Sequence, residues 1–456
     1  MSAIARIAEF VVKTRLDDCP RDAIASVRRA ALDSIGVMLA GSTEPIARIV
    51  REVARAEGGT PLCTVVGASL RTPPTWAALA NGAAGHAHDF DDTSFALLGH
   101  PSVPLLAAAL AAAEAETADG AAVTLAYLLG FEIDAAIGSA INPDHYTRGW
   151  HSTATIGTIG CAAAAARLLA LDLGQVRHAM GLAASLASGL KENFGSMTKP
   201  YHAGHAARNG VLAALLAREG LTASESALDG KQGFLVATGT APVPAAALAT
   251  ALDGLGQRWH VLETGVAVKP YPSCALTHSA IDALLDLRTR HDFAADQVAG
   301  IEVGVNHVVP SVLIHPAPTT ALERKFSMQF CAAAAAAEGR VDLASFERPI
   351  PEPVGSLMAR VTMVVDPALP DRMEQHAWSR VTVRLRDGRT LDSPARGATG
   401  HHDQPLTAEA LRAKFLACCE GTLSPGDAAG IAEQLEHLEA IPDIRALTSR
   451  LVADRD

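Results

Sequence analysis

Aromatic residues make up only 4% of this 456-residue chain, and their scarcity limits how a core can be built. Without many large rings, burial must come from numerous small-residue helices that pack closely, each removing a modest area from water. Cysteine is thin too. The seven present, Cys19, Cys63, Cys161, Cys274, Cys331, Cys418 and Cys419, are scattered and form no CxxC pair, which argues against a disulfide framework or a zinc knuckle. A reducing cytosol suits them, so a cytoplasmic location is expected. Basic charge is short: 38 Lys and Arg face 49 Asp and Glu, for a formal net charge of −11. With no basic stripe, nucleic acid is not expected as a partner. An anionic ligand would be held by a few local cations acting against the global field. The apolar runs, such as "VPLLAAALAAA", fall short of the ~18 residues of a membrane span, so no membrane association is expected. The first twenty residues read as an amphipathic helix, neither signal nor transit peptide.

What is present is apolar and helical. The chain is 49% hydrophobic and 19% charged, enough for packed cores, and its length exceeds the ~250–300 residues at which one core stops growing. Two domains are expected. From Ser2 to about Asp253 the pattern is a series of helices separated by Gly, Pro or Asp breaks; "PRDAIASVRRAALDSIGVMLAG" opens on proline and acid and closes on glycine. Near Trp259 the character changes. "WHVLETGVAVKPYP", "VAGIEVGVNHVVP", "ARVTMVVD" and "SRVTVRLRDGRTL" carry β-branched alternation, the last with Asp387-Gly388 as a hairpin turn. Helical pattern resumes after Pro405. The fold class is therefore mainly α with an inserted α+β domain: residues 1–266 and 400–456 form a helical domain, and 267–399 a smaller α+β one.

The chemistry concentrates in polar islands. "GHAHDFDDT", from Gly85 to Thr93, holds three acids and two histidines, and His100 follows in "GHPS". A metal cradle needs a strand to deliver its HxH pair, and here Ala-rich, Gly-broken sequence precedes His86, so no metal is expected. The acid/base reading is the stronger one: if the stretch is helical, Asp89, Asp92 and Thr93 share a face. "HYTRGWHSTATIG" adds Tyr146, Arg148 and His151; "KENFGSMTKPYHAGHAARNG" adds Lys191, Lys199, His202 and Arg208; "VAVKPYPSCALTH" adds Lys269, Cys274 and His278. Each of these three ends at a helix start, where free N–H groups favour anions. Lysines beside histidines there suit a substrate with several carboxylates. Lys191 reads as a surface residue.

These stretches, with "KFSMQF" and "PLTAEALRAKF", occur together and in order, and the chain resembles the MmgE/PrpD family over nearly its whole length. The family includes 2-methylcitrate dehydratase, cis-aconitate decarboxylase and iminodisuccinate epimerase. The resemblance implies a helical domain built from both termini, an inserted lid, a homodimer, an active site between the domains, and no cofactor or metal. Matched residue by residue, it implies catalytic roles for Asp89, His100, His151, Lys199 and Lys269, with Thr93 in the acidic motif. His202, Tyr146 and Cys274 are added as candidate substrate contacts. Phe330 stands where tyrosine is common in the family, and Cys274 where decarboxylase-like members carry histidine; both point away from cis-aconitate decarboxylase.

The implied chemistry makes or quenches a carbanion beside a carboxylate of a small di- or tricarboxylate. Lys199 and Lys269 would stabilise the enediolate, and His100, His151 or Asp89 would move the proton. A hydro-lyase is the first expectation, with an epimerase, racemase or decarboxylase as alternatives. A non-catalytic helical scaffold, its site lapsed at Phe330, is the alternative of another class.

Overall fold

The computed structural model describes residues 1–239, 245–371 and 377–452. Backbone contacts divide the chain into two units. The first comprises Met1–Ala87, Asp91–Val266 and the chain from Thr407 onward; the second comprises Ala267–Leu406 together with His88–Phe90.

The first unit is a helical assembly: α1 (Ala3–Lys13), α2 (Arg21–Gly41), α3 (Pro45–Glu57), α4 (Pro74–Gly85), α5 (Ser102–Glu116), α6 (Gly120–Ile141), the single turn α7 (Asp144–Thr147), α8 (Ser152–Leu168), α9 (Leu173–Leu186) and α10 (Thr198–Arg218). Side-chain caps start several of them: Asp119 accepts from Ala122 N–H at α6, and Asp172 from Gln175 N–H at α9. A short antiparallel pair, β1 (Cys63–Thr64) and β2 (Arg71–Thr72), interrupts a stretch that the sequence pattern makes entirely helical.

Small residues set the helix spacing. In α8, Cys161 to Ala166 are all fully buried. Where α4 crosses α10, a Cβ on Gly82 would lie 2.6 Å from the Gly204 Cα, and one on Gly204 would lie 2.2 Å from the Leu79 carbonyl oxygen. Any larger residue would force these helices apart.

Two expectations are corrected in this unit. "WHVLETG" forms no strand: Glu132 of α6 accepts from the N–H groups of His260 and Val261, capping a helical turn at His260–Glu263. And α6, with 22 residues and a mean hydropathy of 1.5 in its most apolar window, is long and apolar enough to cross a membrane. Its apolar sequence is interrupted only by Glu132 and Asp134 among charged residues. Inside the unit those acids are used for packing, Asp134 accepting from Gly160 N–H at 3.0 Å, and 89% of the window is buried.

The second unit carries a four-stranded mixed sheet in the order β4-β3-β5-β6, where β3 is Val298–Val305, β4 Val361–Val365, β5 Ser379–Leu385 and β6 Thr390–Arg396. β3 runs parallel to β4 and antiparallel to β5. The β5–β6 hairpin turns at Asp387-Gly388, with Gly388 at φ +92°. Val298, Ile301, Val303, Val381 and Val383 form one core with Leu284 and Leu287 of helix His278–His291 and with Ala332–Ala336 of helix Met328–Glu338. Phe330 belongs to that core: it is 1% exposed, and its ring lies 5.3 Å from that of Phe346. A tyrosine hydroxyl there would need its own buried partner, which phenylalanine does not.

The glycine crossing is directly testable. Gly204→Ala is expected to lower the unfolding free energy by about 1–3 kcal/mol through overpacking. Gly157 of α8, whose added Cβ would meet nothing closer than 3.8 Å, is the control. Gly157→Ala is expected to raise stability by about 0.5–1 kcal/mol, as alanine does in an open helix interior. Chemical denaturation of the two variants separates the cases.

Candidate active site

The first unit gathers four histidines, a lysine and a carboxylate. His86 is the residue on which α4 ends, Lys199 and His202 lie in the first turns of α10, and His151 immediately precedes α8. The close α4–α10 crossing brings the C-terminus of one beside the N-terminus of the other, and Lys199 Nζ lies 3.0 Å from His86 Nε2. On its other side, His86 Nδ1 lies 2.8 and 2.9 Å from the two Asp91 oxygens. An ionised carboxylate only accepts, so Nδ1 carries the proton and Nε2 is the acceptor for Lys199. His100 Nδ1 is 3.3 Å from the second Asp91 oxygen, and its ring stands edge-on to that of His86 with centroids 4.3 Å apart.

His100 is held by its backbone. Its N–H donates to Thr153 Oγ1 in the first turn of α8, at 2.9 Å. Gly99 makes this approach possible, since a Cβ there would sit 2.9 Å from both Thr153 N and Oγ1. Below the loop, Asp92 accepts from the Ser102 N–H and hydroxyl, and Ser102 Oγ meets Tyr127 Oη at 2.6 Å. Opposite, His151 and His202 share one hydrogen bond, Nδ1 to Nδ1 at 3.0 Å, which requires one donor and one acceptor. The Phe194 ring stands edge-on to His151 at 4.9 Å, and Lys199 Nζ lies 5.3 Å from its centre.

Burial sets the protonation states. It pushes His86 down to about 4, aided by Lys199 and His100 and opposed by Asp91. Burial, with Lys199 and His202, holds His151 well below the usual histidine range; burial also lowers His202 to about 4. Burial raises the Asp91 carboxyl, but His86 and His100 outweigh it and hold it well below the usual range. The cluster thus sets an ionised carboxylate and a lysine beside the neutral imidazoles of His86, His151 and His202, which can accept or relay protons at neutral pH.

Other residues singled out from sequence fall elsewhere. The stretch at Asp89 is not helical: Asp89 adopts φ +52°, and Ser94 bridges to Gly99, so the shared helical face is replaced by a loop. Asp89 and Lys269 form one ion pair within the second unit, Lys269 Nζ donating to Asp89 Oδ1 at 2.8 Å and to its carbonyl at 2.7 Å. In the same unit Lys325 Nζ donates to the His88 carbonyl at 2.6 Å. Cys274 there is partly buried and donates its N–H to the Lys325 carbonyl. His278 is a satisfied core group, Nε2 lying 3.1 Å from the Ser273 carbonyl. In the first unit, Thr93 Oγ1 is buried with no hydrogen-bond partner among the described residues. Tyr146 lies under Lys191, which is half-buried and not the surface residue expected. His86 and Asp91 stand in a quoted motif but are not singled out by the sequence reading; only the turn after α4 shows that they meet.

The MmgE/PrpD N-terminal domain model matches residues 5–251 and the MmgE/PrpD C-terminal domain model residues 271–440, and the chain belongs to this family. It is 29% identical to human cis-aconitate decarboxylase over 93% of this chain and 89% of that one. It is 28% identical to the cis-aconitate decarboxylase-like protein oryM of Aspergillus oryzae over 97% of this chain and 96% of that one. Identity to the cis-aconitate decarboxylase of Aspergillus terreus is 30%, over 63% and 60%.

The buried groups fix a pH dependence of stability. His86, His202 and His145, all near 4 when folded, take up protons at about 6.5 when unfolded, so stability falls as pH drops from 6.5 toward 4. Asp92, raised to about 8 by burial and Asp33, and Glu132, raised to about 7 by burial, act oppositely. Unfolded, they have lost protons that the folded chain still holds, so stability falls as pH rises through 7 and 8. Thermal unfolding is expected to be highest near pH 6.5 and to decline on the alkaline side, and Asp92→Asn should flatten that decline.

Proposed function

We propose that the chain is a lyase that stabilises a carbanion beside a carboxylate of a small polycarboxylate and transfers a proton at that carbon, with decarboxylation as its first activity. The observation that carries this reading is the buried Asp91–His86–Lys199 series. Asp91 fixes the tautomer of His86, and His86 Nε2 aims the Lys199 ammonium, a proton donor set among neutral imidazoles. In a decarboxylation the bond to one carboxylate breaks, CO₂ leaves, and its electron pair stays on carbon, delocalised into a neighbouring carboxylate. Lys199 stabilises that charge and gives the carbon a proton, regaining one from solvent. The names of the relatives support cis-aconitate as the first substrate to assay.

A second reading, the hydro-lyase, is favoured by the neutral His151–His202 pair. An imidazole uncharged at working pH is a base ready to remove an α-proton, and expulsion of a β-hydroxyl would follow. Thr93, whose hydroxyl has no hydrogen-bond partner among the described residues, is a candidate ligand for a substrate oxygen under either reading.

One incubation in D₂O separates the outcomes. With cis-aconitate, release of CO₂ and one new C–D bond is expected; hydration or dehydration without CO₂ would favour the hydro-lyase, and no exchange with any di- or tricarboxylate would contradict both. Lys199→Met is expected to lower kcat by at least about a hundredfold, the loss of a proton donor, with a smaller change in KM.

His86, Asp91 and His100 each offer a ligand atom, all within 4.8 Å of one another, which gives a metal alternative a definite place to be tested. Their donor atoms are turned on one another, carboxylate to both Nδ1 atoms. Activity is therefore expected to survive exhaustive chelation; its loss, with recovery on adding one divalent metal, would assign the cluster to a metal.

A further inference from the structure

Arg208 is a cation outside the histidine cluster that the proposed chemistry leaves unused. It follows Lys199 along α10 by about 14 Å of helix axis. The α4–α10 crossing brings it over Trp76, in the first turn of α4, with the guanidinium carbon 5.3 Å from the indole ring centre. Arg208 is half-buried, and its Nε is shielded from water with no hydrogen-bond partner. Among the described residues the guanidinium has no acidic partner, and the first turn of α4 carries no acid. Only Nε is sealed off, so the two terminal nitrogens form the accessible edge. A guanidinium that has lost part of its water and has no counter-charge binds an anion more tightly than an exposed one. The indole holds its plane, which presents that edge as a fixed fork.

The surroundings select the ligand. Tyr201, His205 and Arg208 recur at helical spacing on one face of α10. Tyr201 and Trp76, both half-buried, pack against the same core of Ile46, Val50, Leu79 and Ala83. His205 is tied down through Nε2, 3.0 Å from Ser188 Oγ and 2.9 Å from Asn209 Nδ2, and its ring lies 5.5 Å from that of Tyr201. Burial and the Arg208 charge hold His205 below the usual histidine value, so at neutral pH it adds no second positive charge. One planar cation beside two partly exposed aromatic rings fits a carboxylate on an apolar body. A dianion such as phosphate would leave half its charge unmatched.

We propose that Arg208 and Trp76 form a binding site for a small monocarboxylate with an aromatic or apolar body. The carboxylate pairs with the terminal guanidinium nitrogens, and the body lies against Trp76 and Tyr201. Benzoate is the probe, benzamide its uncharged analogue, and inorganic phosphate the competing anion. Binding is read by nitrogen NMR on protein labelled at arginine and tryptophan, with the Arg208 Nε–H and Trp76 Nε1–H signals assigned from Arg208→Lys and Trp76→Phe. Benzoate is expected to shift both signals saturably and to bind at least about tenfold more tightly than benzamide or phosphate. Arg208→Met should weaken benzoate roughly tenfold to a hundredfold, the loss of one charge-assisted contact. Arg208→Lys, which keeps the charge but not the planar fork, should recover only part of that loss. The absence of a saturable shift, equal binding of benzamide, or an unchanged benzoate shift at Trp76 in Arg208→Met would overturn the inference. Tighter binding of phosphate would overturn the carboxylate class. The wild-type comparison of the three probes decides the matter even where a variant unfolds.

Discussion

A carboxylate with no exposure to water, Asp91, is the constraint from which the rest of the site follows. An ionised acid inside an alanine-rich helical unit is costly unless several donors meet it. Here the His86 Nδ1–H meets both oxygens, and His100 Nδ1 lies 3.3 Å from one of them. That demand decides which nitrogen of His86 holds the proton, leaves Nε2 as an acceptor, and so gives the Lys199 ammonium a direction. The same burial keeps His86, His151 and His202 uncharged. One buried charge thus organises a donor, its orienting partner and the neutral bases around it.

The scaffold meets that demand with residues that do almost nothing chemically. Gly82 and Gly204 let α4 and α10 cross closely enough to present His86 to Lys199, and Gly99 lets the His100 loop lie on the first turn of α8. The scarcity of aromatics and the wealth of alanine serve the same end, because thin helices place several helix termini in one small volume. One of the few larger side chains at the cluster, Phe194, stands edge-on against His151.

Much of this was legible in the sequence. The helical run, the change of character after the first 260 residues, the β5–β6 turn at Asp387-Gly388 and the family itself follow from periodicity and motif order. His100, His151, Lys199 and His202 were named from polar islands alone, and the structure brings them together. What the sequence did not disclose was geometry that arises only in three dimensions. His86 and Asp91 meet because α4 ends at His86 and the chain turns back, whereas a helical reading pointed to Asp89, Asp92 and Thr93. Lys191 looks like a surface lysine by its neighbours, and only its seat over the Tyr146 ring reveals that it is half-buried. Phe330 looked like a lost hydroxyl until its packing against Phe346 showed a core position.

The most direct test of the Asp91–His86–Lys199 series is the tautomer of His86, read by nitrogen NMR on protein labelled at histidine and assigned with a His86→Gln variant. The expected result is a protonated Nδ1 and an unprotonated, hydrogen-bonded Nε2, unchanged as pH is lowered from 7.5 to about 5, in keeping with a pKa near 4. A proton on Nε2, or a titration near the ordinary histidine value of about 6.5, would contradict it.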